Sequence, residues 1–439
     1  MPSCARCRSR TARVSQSIVS PVRSAVTVIG RRFEVGDHRL RDFLTRAAQP
    51  HEWLEAGTPE ADRLLASMGL VEAPLPVVLD GGRAYVGATV ETLVSAWNLT
   101  TAPKRSHYDL AIVGAGPAGL GAAVYAASDG LATIVLERDL PGGQASHTSM
   151  IENFFGFPEG IGGAELARRA GRQAERFGAE LVFLREAVGS RPGADPPVIL
   201  LDSGVQVATS VVIAATGMDW RRLEVEGVDE LIDRGVYYGA GRSEAPQCSG
   251  ESVAVVGAGN AAGQAALNLA DARAKVTMIV RGDRLAKNMS AYLVARIEAH
   301  PLIDVRLSSQ VTALRAEDGH LAEVDITGPA GREETLRVTT LFICIGGRPH
   351  SEWCAAEGVR TNTAGYILTG LDLLDDSGRR PAAWPLDRDP LPLETSRPGV
   401  FAAGDVRYGS TKRVAGAVGD GAMAVALAYR YLEPPATDK

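Results

Sequence analysis

The chain has 439 residues, 45% of them hydrophobic, and a formal charge of −6 at pH 7. That length holds roughly two to four domains, and the acidic balance gives a nucleic-acid partner no electrostatic support. No stretch approaches the roughly 20 consecutive apolar residues of a membrane-crossing helix, so no membrane partner is expected.

Residues 1–24 are rich in Arg and Ser, and no acid occurs before Glu34. They read as a disordered basic tail or as residues upstream of the true start; a transit-like address is the weaker alternative. Five cysteines (Cys4, Cys7, Cys248, Cys344, Cys354) are too few and scattered for a disulfide framework, which points to a reducing cytoplasm. Cys4 and Cys7 form a CxxC without a second ligand pair, so no metal site is expected.

Residues 25–100 form a small α/β unit. Ala25–Gly30 reads as a buried strand, Leu40–Ala47 as an amphipathic helix and Glu52–Glu55 as a second strand. A helix over Ala61–Met68, a strand in LPVVLDGG, a short strand at Tyr85–Val86 and a helix over Val90–Trp97 follow. The order β-α-β-α-β-β-α resembles the glutaredoxin/thioredoxin fold, and the resemblance makes Leu75–Pro76 a cis peptide. The family's reactive CxxC lies between the first strand and first helix; here that segment reads RRFEVGDH, without cysteine. A docking or scaffold role is therefore expected of this unit. Thr101–His107 is a polar linker.

From Tyr108 the pattern becomes βαβ. A strand (Asp109–Val113) leads into Gly114-Ala-Gly116-Pro-Ala-Gly119, a small-residue helix, and a strand (Ala132–Leu136) ending at Glu137. Gly114 permits the tight turn, Gly116 lets the backbone approach a pyrophosphate, and Gly119 allows close helix–strand packing. Glu137 stands where a carboxylate accepts from ribose hydroxyls. This reads as an FAD site.

A second copy carries Gly257-Ala-Gly259-Asn260-Ala261-Ala262, with Ala replacing the third glycine. Its ribose-side strand ends at Val280, so no carboxylate is there to bind a 2′-hydroxyl, and Arg281 comes next instead. A guanidinium pairs bidentately with a 2′-phosphate, which favours NADPH over NADH; a plain surface charge is the alternative.

Tyr108–Leu432 resembles the low-molecular-weight thioredoxin reductases. Beyond the two glycine turns, the matching motifs are Pro141–Gln144, Ile151–Leu166, Arg176–Glu180, Ala214–Gly217, Ile345–Pro349 and Gly399–Asp405. The resemblance implies two Rossmann-type domains: a discontinuous FAD domain (108–222 and 349–439) with an NAD(P)H domain (227–348) inserted, usually in a homodimer. It extends the FAD contacts to Pro117, Ala118, Arg138, Gly143, Gln144, Asn153, Thr216, Gly217, Gly346, Gly404, Asp405, Arg413, Val414 and Ala415. Asn260, Ala261 and Lys287 join the nucleotide contacts, Lys287 compensating for a thinner phosphate clamp than the family's.

One departure outweighs these matches. The family's redox CxxC and following acid fall on Ala240, Gly241, Arg242, Ser243 and Glu244, so both cysteines are missing and dithiol exchange lacks its thiolate. Ser243 and Glu244 inherit the redox face; Glu244 is a candidate general acid if its pKa is raised, or else a solvated loop charge. His147 is a second candidate proton donor. The expected function is an NADPH-dependent FAD oxidoreductase with a small-molecule or partner-protein acceptor. The alternatives are a disulfide reductase using relocated cysteines and a flavin-based redox sensor or scaffold. Residues 375–393 exceed what the family needs, as a partner-facing loop or a tolerated insertion.

Overall fold

The computed structural model describes residues 25–191, 197–239 and 241–433. The basic tail with Cys4 and Cys7, and Ala240 of the redox-position segment, lie outside them.

The N-terminal unit runs β1 (Val26–Gly30), α1 (Val35–Arg46), β2 (His51–Glu55), α2 (Pro59–Ser67), β3 (Val77–Asp80), β4 (Arg83–Val86) and α3 (Val90–Ala96). Its sheet order is β2-β1-β3-β4, with β1 parallel to β2 and antiparallel to β3. The Leu75–Pro76 peptide is cis, as expected. Helix α1 buries Leu40, Phe43 and Leu44, an i, i+3, i+4 stripe. It starts five residues before the expected Leu40. The Asp37 carboxylate explains this: it sits in the first turn, at the positive end of the helix, and accepts the Arg31 N–H at 2.7 Å.

The first nucleotide domain comprises β5 (His107–Val113), α4 (Pro117–Ser128), β6 (Thr133–Leu136), α5 (Gly163–Arg176), β7 (Glu180–Val182), β8 (Ala187–Ser190), β9 (Val198–Leu201) and β10 (Gln206–Ala214). Strands are ordered β7-β6-β5-β10-β9-β8, with β7, β6, β5 and β10 parallel. Fully buried Leu110, Ala111 and Ile112 give β5 the continuous apolar character of a strand covered on both faces.

Strand β11 (Met218–Trp220) leaves this domain. The second comprises α6 (Val228–Leu231), β12 (Val236–Tyr238), β13 (Ser252–Val256), α7 (Asn260–Asp271), β14 (Lys275–Ile279), α8 (Ala291–Ala299) and β15 (Ile303–Arg306). A hairpin layer β16 (Gln310–Glu317), β17 (His320–Thr327), β18 (Glu333–Arg337) precedes β19 (Thr340–Ile343). The five-stranded sheet β12-β19-β13-β14-β15 is parallel throughout. The chain returns through β20 (Gly347–Pro349), which pairs antiparallel with β11, so the two domains are joined by a two-stranded connection.

After α9 (Glu352–Ala356), β21 (Val400–Ala402) adds to β10 in the first sheet, and α10 (Val414–Leu432) packs along α4. The first domain thus draws on two pieces of sequence. The extra stretch before β21 is anchored at its end: Arg388 grips buried Glu394 at 2.7 and 2.9 Å, and Leu391 and Leu393 join the first domain's core.

Candidate flavin and nucleotide site

Sterics account for the first glycine turn. A Cβ on Gly114, whose φ is +104°, would lie 2.4 Å from the Ala215 carbonyl oxygen, and one on Gly119 would lie 1.8 Å from that of Gly114. Gly116 has open space where its Cβ would be, so backbone amides there are accessible at the positive N-terminus of α4. In the second turn, a Cβ on Gly257 would meet the Cys344 carbonyl oxygen at 2.3 Å, and Gly259 faces open space. Ala262 is fully buried and fills the third position with its methyl.

The first turn opens on a cavity of about 870 Å³. Gly114, Gly116, Pro117 and Ala118 form one wall, with Glu137 and Arg138 beyond β6. Gly143, Gln144 and His147 come from a short 3-10 turn; Thr216, Gly217 and Gly346 come from the segments entering and leaving the connection. Asp405, Lys412, Arg413 and Val414 arrive from the second piece of the domain. Glu137 is 8% exposed and accepts the Ala115 and Asp139 N–H groups at 2.6 and 2.9 Å. Burial pushes its carboxyl upward, against the pull of the Ala115 bond. Burial also raises Asp405, with the Lys412 charge opposing. Gln144 donates to the Met218 carbonyl at 2.7 Å, tying the 3-10 turn to β11. Ala261 and Cys344, from the second domain, line the same cavity. The two nucleotide turns therefore share one space.

Of the expected residues that do not line it, four are turned to other contacts or to solvent. Asn153 is exposed, in a loop closed by the Ile151–Ile161 bridge. Asn260 spends its amide on Ser290, at 2.8 and 3.0 Å, bracing the start of α8. Gly404 turns its Cα towards Ala118 and donates its N–H to Asp420. Ala415 is exposed on α10. Asp219, His350 and Glu352 place ligand atoms within 4.8 Å of one another, but Arg138 donates to Asp219 there and already supplies a cation.

A second cavity, of about 170 Å³, adjoins the first at Arg46 and His147. It is lined by Ser243 and Glu244 and, across from them, by His38 and Asp42 of α1. His38 Nε2 lies 2.8 Å from Glu244 Oε1, and its Nδ1 lies 3.2 Å from Asp233 Oδ1. Ser243 donates to the same Glu244 oxygen. Burial alone would lift the Glu244 carboxyl, but the His38 bond and charge and the Arg41 guanidinium outweigh it and hold it down at about 2. Burial would lower His38, yet the Asp233 and Glu244 carboxylates raise it to about 9. The expected raised, proton-donating Glu244 is thus corrected: it is a carboxylate, and the proton sits on His38. His147 is corrected too, since burial lowers its pKa and leaves a neutral imidazole, edge-on to Trp220 at 5.9 Å. Sequence reasoning missed His38 because its partner is 206 residues away.

Residues 108–421 match the family model described as pyridine nucleotide-disulphide oxidoreductase. The chain belongs to that family. It is 33% identical over 329 residues to a thioredoxin reductase of Bacillus subtilis, covering 74% of this chain and 95% of that one. Among solved structures it resembles the thioredoxin reductase of Lactococcus lactis in its FR conformation, with a TM-score of 0.65 and 30% identity over 74% of this chain and 99% of that one. The thioredoxin reductase of T. acidophilum gives 0.66 and 27%, over 75% and 100%.

As a thioredoxin reductase-like member of this family the protein is an oxidoreductase whose cofactors are FAD and NADPH, and its residues fit both. The large cavity meets the FAD-side turn with a helix N-terminus and a buried carboxylate. On the nucleotide side, Arg281 and Lys287 are exposed in the loop after β14, with Arg284, which sequence reading passed over, between them. None of the three makes an ion pair among the described residues. The cysteines are a further point of contrast within a disulphide oxidoreductase family. Cys248, Cys344 and Cys354 are free and buried, and burial pushes their thiols up, to about 11 for Cys248 and about 12 for Cys344.

Proposed function

We propose that this protein is an FAD-dependent NADPH oxidoreductase that passes hydride equivalents to a small-molecule or partner-protein acceptor without a redox dithiol of its own. The observation that carries this reading is the single cavity shared by the FAD-side turn and by Ala261 and Cys344 of the second domain. The bound cofactors supply hydride transfer from nicotinamide C4 to flavin N5. Glu137 and the α4 N-terminus hold the adenosine and pyrophosphate end. Gln144, Asp405 and the Lys412–Val414 segment orient the ring end. Arg281, Arg284 and Lys287 take the 2′-phosphate. His38, kept charged by Glu244 and Asp233, holds a proton at Nε2 or Nδ1, and neutral His147 stands between that store and the flavin cavity.

The same reading takes residues 25–100 as a glutaredoxin/thioredoxin-like domain, on the strength of its β2-β1-β3-β4 order. It includes a cytoplasmic homodimer, the homodimer on the family resemblance and the reducing compartment on the free state of the described cysteines. Disulfide reduction through Cys248 is disfavoured, because an attacking sulfur must be an accessible thiolate and Cys248 is fully buried with a raised pKa.

Rapid mixing with NADPH is expected to bleach the flavin whether or not thioredoxin is present. Steady thioredoxin-dependent NADPH oxidation above background would overturn the dithiol-free assignment. A flavin that NADPH leaves oxidised would overturn the whole reading.

A further inference from the structure

The N-terminal unit touches both nucleotide domains, and the ion pairs and ring contacts described between it and the second run from Arg32 to Arg41. Arg32 grips Glu251 bidentately at 2.6 and 2.8 Å. Phe33 stacks on His320 with centroids 4.4 Å apart. His38 bridges Glu244 and Asp233, lies 4.6 Å from the Tyr237 ring, and has Arg39 beside it, 3.5 Å from Asp233. Arg41 is 1% exposed, stacks on Trp53 and reaches Glu244 at 4.0 Å. The first domain is held elsewhere on the unit. Arg46 pairs with Asp139 at 2.7 and 3.1 Å, and fully buried Leu140 sits in the unit's own apolar core with Phe43 and Trp97.

These contacts straddle the β11–β20 connection, the only covalent joint of the second domain to the first among the described residues. A body fixed to both sides of a two-stranded joint restricts rotation about it. The arrangement it holds is the one in which Ala261 and Cys344 open on the flavin cavity, while Ser243 and Glu244 face the unit instead. The facing residues, 31–38 and 241–243, fall in the two segments where the family resemblances put redox cysteines. An ion pair, His38–Glu244, stands where two dithiols would meet.

We propose that the N-terminal unit is a protein partner built into the chain: it covers the Ser243–Glu244 face of the second domain and braces both nucleotide domains in the hydride-transfer arrangement. The proposal rests on the functional reading above for the meaning of that arrangement, and on the contacts alone for the docking. A free thioredoxin-fold protein then finds this face occupied. With no dithiol to carry to the flavin, the second domain has no need to swing, and a brace costs the reaction nothing.

The test uses the full FAD-loaded chain. Arg32→Glu sets two carboxylates against each other at a partly buried seam remote from both nucleotide turns. Hydrogen exchange across residues 228–251 and cleavage by added protease within residues 101–107 are each expected to speed up at least tenfold. Flavin reduction by NADPH is expected to slow several-fold. Combining Arg32→Glu with Glu251→Arg restores all three to within about twofold of the parent. A folded, yellow Arg32→Glu protein with parental exchange and cleavage overturns the proposal, as does loosening that the charge swap leaves unrepaired. Should Arg32→Glu fail to accumulate, Phe33→Ala removes the ring stack without a buried charge. It is expected to speed exchange and cleavage about threefold, and no change overturns the proposal equally. If NADPH does not bleach the parent flavin, the functional reading fails while exchange and cleavage still decide the docking.

Discussion

The two nucleotide turns share a strand–glycine–helix plan and differ in what surrounds it. At the first, Gly114 and Gly119 are forced by contacts that no Cβ survives, the ribose-side carboxylate is 8% exposed, and two pieces of sequence close over the cavity. At the second, an alanine replaces the third glycine, the ribose-side position is Val280 with an exposed arginine after it, and no closing segment covers that arginine among the described residues. The first is built to keep its ligand; the second is built to exchange it. The same plan thus serves a resident cofactor and a cosubstrate, and the difference lies in burial and charge sign.

The sharpest way to break the comparison is Gly119→Ala. The added methyl would sit 1.8 Å from the Gly114 carbonyl oxygen, where only backbone can yield. Overpacking of this kind costs roughly 3 kcal/mol or more, and FAD content, read from the flavin absorbance per chain, is expected to fall below about a tenth of the parent's. The second turn already carries that alanine at Ala262. Parental FAD content in Gly119→Ala would mean that the first turn has the tolerance of the second.

The domains also differ in how they meet the N-terminal unit: the first offers Leu140 to an apolar core, whereas the second offers Glu244, Asp233 and Glu251 to cations. That difference predicts a pH dependence. His38 is raised from 6.5 to about 9 in the folded protein, so its contribution is complete below about pH 6.5 and is lost as pH rises through about 9. Glu244 is lowered to about 2, so the same pair weakens at the acid end only below about pH 4.5. The shift of His38 corresponds to roughly 3 kcal/mol. Denaturant midpoints taken between pH 6 and pH 10 are expected to drop, and His38→Gln to flatten that drop. A parent and variant with parallel profiles would remove His38 from the seam's energetics.

What was legible in the sequence followed local rules. The glycine turns, Glu137 and the order of elements along the N-terminal unit are set by sterics and periodicity within a few tens of residues. What was not legible depended on pairs far apart in the chain. Glu244 reads as a candidate acid when its partner is unknown, and becomes a carboxylate once His38, 206 positions earlier, is placed beside it. Asn260 reads as a nucleotide contact until Ser290, 30 residues on, takes both ends of its amide. Helix α1 starts early because of one aspartate, a signal that Gly36 and the charged residues around it obscure. No rule of spacing announces that a small N-terminal unit will sit across the joint between two other domains.

The smallest effect expected is also the one that decides what the exposed second site recognises. Where the first site has Glu137 the second has buried Val280, followed by Arg281, and the exchange calls for a different ligand: a carboxylate accepts from ribose hydroxyls and repels a 2′-phosphate, while a guanidinium grips the phosphate. Because Arg281, Arg284 and Lys287 are exposed, solvent and salt screen each of them. Loss of one is therefore worth about 1.4 kcal/mol, a tenfold change. Arg281→Ala is expected to lower the ratio of kcat/KM for NADPH to that for NADH about tenfold, almost wholly through KM for NADPH, with NADH unaffected. Raising the salt concentration should shrink the parent's preference in the same direction. Removing Arg284 as well should lower the ratio further, since two cations on one phosphate share its charge. If NADPH and NADH lose efficiency equally in Arg281→Ala, the arginine acts on the loop's shape, and the contrast with Glu137 reduces to burial alone.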